Sequence, residues 1–195
     1  MKIYYHVSSL RNTGDQLLHN TKIGYDYCCY ATSCDLSTFE KYVECYNSLC
    51  LSRVYETTHR TASKWICEFI FEKVRRYYYS NLPSRLWGLY LTSSFDDAKE
   101  FLYSERNYWG SKIFEIVIPN ENDVHCFDMN VFTKAHTNIE NDPLNPQFYN
   151  GAFELAKQYW EGNNTYIGRK EFLIDDESLV IGKELLAWSP QGGEK

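Results

Sequence analysis

Residues 88–101 read Gly-Leu-Tyr-Leu-Thr-Ser-Ser-Phe-Asp-Asp-Ala-Lys-Glu-Phe. An apolar strand over about 86–92, carrying Tyr90, passes through two serines into a helix over roughly 95–104. Ser94 and Asp97, three residues apart, make a capping-box-like start for that helix. Upstream, residues 2–8 alternate with the period of a strand: Ile3, Tyr5 and Val7 on one face, Tyr4, His6 and Ser8 on the other. His6 therefore points away from the side of Ile3 and Val7. Downstream, the β-branched run 112–118 is a strand stopped by Pro119 and Asn120. Two late strands are expected at 170–175, opening on Lys170, Glu171 and Phe172, and at 178–187.

Helical spacing marks 36–50, 58–80 and 149–161. In the second, Ala62, Trp65, Ile66, Phe69, Ile70 and Val74 form one apolar stripe, and Pro83 closes the helix because its ring cannot continue the hydrogen-bond ladder. The stretch 137–148, rich in Asn, Asp and Pro, reads as a long surface loop. The sum is a single α+β domain over 1–189 with a flexible tail at 190–195.

A chain of 195 residues buries roughly 70% of its unfolded surface in one core. The 17 Tyr, 11 Phe and 5 Trp suit a mixed sheet and supply rings that can stack on nucleotides. Residues 1–10 hold one lysine and no long apolar run, and the longest apolar stretch, 65–71, is interrupted by Glu68; a soluble, cytoplasmic chain without a membrane partner is expected. Seven cysteines without a C-x-x-C pair fit reduced thiols better than a disulfide framework or a zinc ribbon. No metal is expected; Cys45, Cys50 and His59 are the nearest approach to a ligand set. The net charge of −6 argues against a phosphate-binding surface over the whole molecule. One local patch, Lys73, Arg75, Arg76, Tyr77, Tyr78 and Tyr79, interleaves cations and rings as a nucleic-acid strand requires. The same residues also read as the solvated last turns of a helix, where lysine and arginine are favoured.

The order His6, Tyr90, Glu171 resembles the catalytic core of the ADP-ribosyltransferases, which split NAD+ and move its ADP-ribose to a macromolecule. The resemblance implies a split β-sandwich with flanking helices, NAD+ as substrate and mono-ADP-ribosyltransferase activity. Breaking the nicotinamide–ribose bond passes through an oxocarbenium-like state, so the site must hold the ribose, stack the nicotinamide and offset a developing cation. By the resemblance His6, beside Ser8, orients a ribose hydroxyl; Tyr90 lies against the nicotinamide, with Phe101 or Tyr103 as second ring; Glu171 supplies the carboxylate, with Glu177 as competitor. Residues 82–90, with Asp97, Ala98, Lys99 and later Tyr159 to Gly162, also resemble a little-characterised family of bacterial proteins in the same superfamily. Arg85 is a candidate contact to an NAD phosphate or the acceptor, a structural salt bridge being the alternative.

Val7 and Ser8 follow His6 where glycine and then threonine or serine are common. Arg169 stands two positions before Glu171, where enzymes that modify arginine usually carry an acid, which disfavours arginine as acceptor. The expected use is an intracellular toxin of a toxin–antitoxin or anti-phage system, with an antitoxin protein among its expected partners. Its expected acceptor is nucleic acid, RNA or DNA, held by Arg75, Arg76 and Tyr77, in preference to protein. The alternatives are an RNA 2′-phosphotransferase-like enzyme and an inert module of the same fold that binds a partner or nucleotide.

Overall fold

The computed structural model describes residues 1–8, 12–15, 33–51, 59–104, 111–162, 169–175 and 179–187. Its elements run β1 (Lys2–Ser8), α1 (Phe39–Leu51), α2 (His59–Tyr78), β2 (Leu89–Leu91), α3 (Phe95–Ser104), β3 (Lys112–Ile118), β4 (His125–Asp128), α4 (Met129–Asn141), α5 (Pro146–Glu161), β5 (Lys170–Ile174) and β6 (Glu184–Ala187). This is an α+β architecture. Within the span expected to form one domain, the chain forms two compact units: Met1–His19 with Gly88–His125 and Glu171–Lys195, and Asn20–Trp87 with Cys126–Lys170.

The first unit carries two small antiparallel sheets. In one the strand order is β1-β3-β6, with Tyr4 opposite Ile116, His6 opposite Phe114 and Ser8 opposite Lys112. β6 joins through Lys112–Ala187 and Ile113–Leu186, then after a bulge through Phe114–Glu184. In the other, β2 pairs with β5, Tyr90 opposite Leu173 and Leu91 opposite Phe172. A single reciprocal pair links β1 to β2: the N–H of Tyr5 donates to the carbonyl of Thr92 and the reverse, both at 2.9 Å.

β1 is packed on both faces along its middle, which is why Tyr4 on one face and Tyr5 and Val7 on the other are aromatic or apolar. Tyr4, with Phe114, Ile116 and Ile118, packs against Leu91 and Ile174 of the second sheet. Tyr5 and Val7, with Ile113, lie under Ala98 and Leu102 of α3. α3 begins where expected, the Ser94 hydroxyl accepting the Asp97 N–H at 3.0 Å. Beside β3, the N–H of Gly182 bonds the carbonyl of Glu115 at 2.9 Å. A side chain at Gly182 would place its Cβ 2.4 Å from that oxygen.

The second unit is built on α2. Ala62, Ile66, Phe69, Ile70 and Val74 are buried, but so are Cys67, Phe71 and the carboxylates Glu68 and Glu72, so the helix is enclosed nearly all round. Trp160 of α5 donates its ring N–H to the carbonyl of Phe71 at 2.8 Å. Glu72 accepts from Arg75, from Arg76 and from the Ser84 hydroxyl at 2.7 to 3.0 Å. Burial pushes this carboxyl up, but the hydrogen bonds and charge of Arg75, helped by Arg76 and Ser84, outweigh it and hold Glu72 below its ordinary value.

Several expectations are corrected. No long loop fills 137–148: α4 runs to Asn141 and α5 starts at Pro146. The polar residues there are caps, Asn145 accepting the Gln147 N–H ahead of Pro146 at the first turn. β4 and α4 lie where the sequence pattern predicts no element. The strand at 86–92 shortens to Leu89–Leu91, and that at 178–187 to Glu184–Ala187 among the described residues. Cys34 and Cys45 form a disulfide, their Cα atoms 6.6 Å apart; both are buried, and folding brings together sulfurs whose spacing gave no signal. The pair removes Cys45 from any zinc set and corrects the expectation of reduced thiols for these two cysteines. No helix among the described residues is long and apolar enough to cross a membrane. Glu177, Cys28, Cys29, the tail 190–195 and the side chain of His59 lie outside the described residues.

Two outcomes follow. Gly182→Ala should cost about 2 kcal/mol, since the neighbouring backbone must yield to the new methyl; an unchanged urea midpoint would show that it yields freely. Glu72→Gln should cost about 3 kcal/mol at neutral pH by leaving Arg75 without its buried partner. Because Glu72 is depressed in the folded state, its contribution is present above its ordinary value of 4.5 and lost as pH falls through the folded value. The stability gap between parent and Glu72→Gln should therefore narrow in acid, as denaturant melts at neutral pH and near pH 3 would record.

Candidate functional site

The three residues singled out by the sequence all belong to the first unit, and Tyr90 is the member that the other two share. His6 Nδ1 lies 2.9 Å from the Tyr90 carbonyl oxygen. A carbonyl can only accept, so Nδ1 carries the hydrogen, and in the neutral ring Nε2 has the acceptor's role. Glu171 is joined to Tyr90 by the β2–β5 ladder. Tyr90 stands opposite Leu173, and Glu171, two residues before Leu173, shares its face because the pleat repeats every second residue. Glu171 is 8% exposed, a buried carboxylate beside the tyrosine strand.

The faces can be followed further. Leu91 and Ile174 turn into the core between the sheets, so Tyr90 and Glu171 occupy the opposite face of β2 and β5. His6 alternates with Tyr4, which turns into that core. The parity of one strand need not carry to the other, since among the described residues β1 and β2 pair only at Tyr5–Thr92. One residue along β1 from Tyr5, the ring of His6 meets the Tyr90 carbonyl.

On the first sheet, directly paired residues share a face. His6, Phe114 and Glu184 form one row across β1, β3 and β6, and Ser8 and Lys112 form the next. The apolar face of Tyr4, Ile116 and Phe114 thus ends in a polar border of His6, Ser8, Lys112 and Glu184. Lys112 Nζ and a Glu184 carboxylate oxygen are 2.8 Å apart, with the two side chains 30% and 36% exposed. Sequence reading missed Lys112 and Glu184, because only the strand register places them beside His6.

The remaining candidates lie on other elements. Phe101 is half-buried and Tyr103 exposed on α3. Arg85 is buried in the second unit: Nε and Nη2 donate to Glu68 at 3.0 and 3.1 Å, Nη1 to the Tyr159 hydroxyl at 2.9 Å. Its guanidinium also lies 3.9 Å from the ring centre of Phe132, so the structural salt bridge is the reading of Arg85 that stands. Arg75 likewise grips Glu72 and donates through Nη1 to the Leu82 carbonyl at 2.8 Å, closing the end of α2 instead of facing a ligand. Arg76 shares Glu72 and is partly exposed, while Tyr77 is 81% exposed.

A family model described as "Protein of unknown function (DUF2441)" matches residues 5–185. The chain belongs to the DUF2441 family. No curated protein matches it. The matched span of this DUF2441 chain includes His6, Lys112, Glu171 and Glu184 along with Tyr90.

The hydrogen bond from His6 dictates a tautomer that nitrogen NMR can read. Long-range ¹⁵N–¹H correlations should assign the hydrogen of neutral His6 to Nδ1. A hydrogen on Nε2 would mean that the bond to the Tyr90 carbonyl is not made.

Proposed function

We propose that this DUF2441 chain is an NAD+-dependent mono-ADP-ribosyltransferase with His6, Tyr90 and Glu171 as its working residues. The observation that carries the reading is the double tie to Tyr90, by the His6 ring on one side and by the ladder to the Glu171 strand on the other. In this scheme His6 Nε2 accepts a hydrogen bond from a ribose hydroxyl and fixes the sugar. The Tyr90 ring lies along the nicotinamide. The glycosidic C–N bond breaks with its electron pair leaving on nicotinamide, and the Glu171 carboxylate offsets the positive charge that grows on the ribose. The acceptor then adds to the same carbon, its proton passing to Glu171. The acceptor is read as nucleic acid, supported by the exposed rings of Tyr77 and Tyr78, which suit base stacking.

The opposite face parity of His6 and Glu171 favours a second reading, a nucleotide-binding module without transfer activity. One experiment decides between them. Purified protein incubated with labelled NAD+ and separate pools of RNA, DNA and protein should release nicotinamide and label nucleic acid. Glu171→Gln should lower both by about 10²-fold or more at an unchanged melting temperature. NAD+ binding without turnover in the parent would establish the inert module, and full activity in Glu171→Gln would remove Glu171 from the mechanism.

A further inference from the structure

Resting on the transferase reading, we infer that Lys112 is the cation that receives the phosphates of NAD+, and that Glu184 holds it in place until the ligand arrives. The proposal comes from the register of β1, β3 and β6. Lys112 is the cross-strand partner of Ser8 and the diagonal neighbour of His6 on the same face, a Cβ separation of about 7–8 Å. The phosphates of NAD+ hang from the 5′ carbon of the ribose whose hydroxyl His6 would hold. A lysine stem spans the remaining gap, and its ammonium binds phosphate as a point charge without demanding one geometry.

The alternative cations are poorer. Lys2 has the same parity, but it lies four residues from His6, about 13 Å along the strand, and is engaged by Glu121 and the Tyr4 ring. Arg85 and Arg75 are committed to buried carboxylates of the second unit.

The pairing with Glu184 does not disqualify Lys112. Both groups are about one-third exposed, and ion pairs with that access to water are weak. A pyrophosphate with two charges displaces a single carboxylate from such a lysine readily. Until then the 2.8 Å contact to Glu184 keeps the long side chain on the His6 face, so less conformational entropy is lost on binding. Specificity follows: phosphate-bearing ligands gain from Lys112, and a bare nicotinamide riboside does not.

Isothermal titration of the parent, Lys112→Gln and Glu184→Gln with NAD+ and with nicotinamide riboside tests this. The parent should bind NAD+ more tightly than the riboside. Lys112→Gln, which keeps most of the stem, should weaken NAD+ binding roughly 10- to 100-fold and leave the riboside unchanged. Glu184→Gln should bind NAD+ at least as well as the parent, because a competing anion is gone. If Lys112→Gln binds NAD+ like the parent, or if both variants lose both ligands together with a lower melting temperature, the assignment of Lys112 is overturned while the transferase reading stands. If the parent binds neither ligand and releases no nicotinamide, the transferase reading itself fails and takes this one with it.

Discussion

Tyr5 and Thr92 exchange both backbone hydrogen bonds at 2.9 Å, and the geometry of the first unit follows from that pair. It fixes which residues of β1 face the core between the sheets: Tyr4 enters it, Tyr5 turns to α3, and His6 comes next, within reach of the Tyr90 carbonyl. A slip of one residue would send Tyr5 into the core and His6 toward α3, since the side-chain period of a strand is two. Aromatic packing resists such a slip, Tyr4 meeting Phe172 at 5.4 Å and Tyr5 meeting Phe95 at 5.8 Å between ring centres. The polar border beyond Phe114 exists because the same register continues into β3 and β6.

The second unit obeys a different constraint. α2 buries two carboxylates one turn apart, Glu68 and Glu72, and an unpaired buried carboxylate is far too costly to keep. Arg85 satisfies one, Arg75 and Arg76 the other. Two of the cations that look like a basic surface at the end of α2, Arg75 and Arg76, are thus drawn toward the helix's own Glu72. Beside the partly exposed Arg76, the exposed groups there include the rings of Tyr77 and Tyr78, their centres 4.6 Å apart.

Where structure is local, the sequence is legible. The alternation of 2–8, the β-branched run 112–118 and the Ser94–Asp97 cap predict β1, β3 and α3 at their observed bounds, because each depends on neighbours a few residues away. Residues 137–148 mislead because Asn, Asp and Pro serve helix caps as well as loops; composition alone cannot separate Asn145 and Pro146 as a helix start from a turn. The Cys34–Cys45 pair depends on the approach of two buried segments. The site divides the same way. His6, Tyr90 and Glu171 are candidates by residue type and order, whereas Lys112 and Glu184 join them only through pairings more than 70 residues apart for β3 with β6 and over a hundred for β1 with β3. For Arg85 the residue type left two roles open, and the deciding partner, Glu68, is 17 residues away on α2.

Burial sorts the ion pairs of this acidic chain into permanent and exchangeable ones. Arg85–Glu68 is nearly inaccessible, and separating it would strand a charge in a low-dielectric interior, at about 3–5 kcal/mol. No ligand phosphate recovers that readily, so such an arginine works as part of the core. Lys112–Glu184 stands at the water boundary, where exchanging one anion for another costs about 1 kcal/mol or less. The same two residue classes, a cation and a carboxylate at hydrogen-bond distance, therefore have opposite meanings in the two units. With a net charge of −6 repelling anionic ligands at long range, an exchangeable cation near His6 is the short-range contact on which the proposed recognition of a dinucleotide would draw.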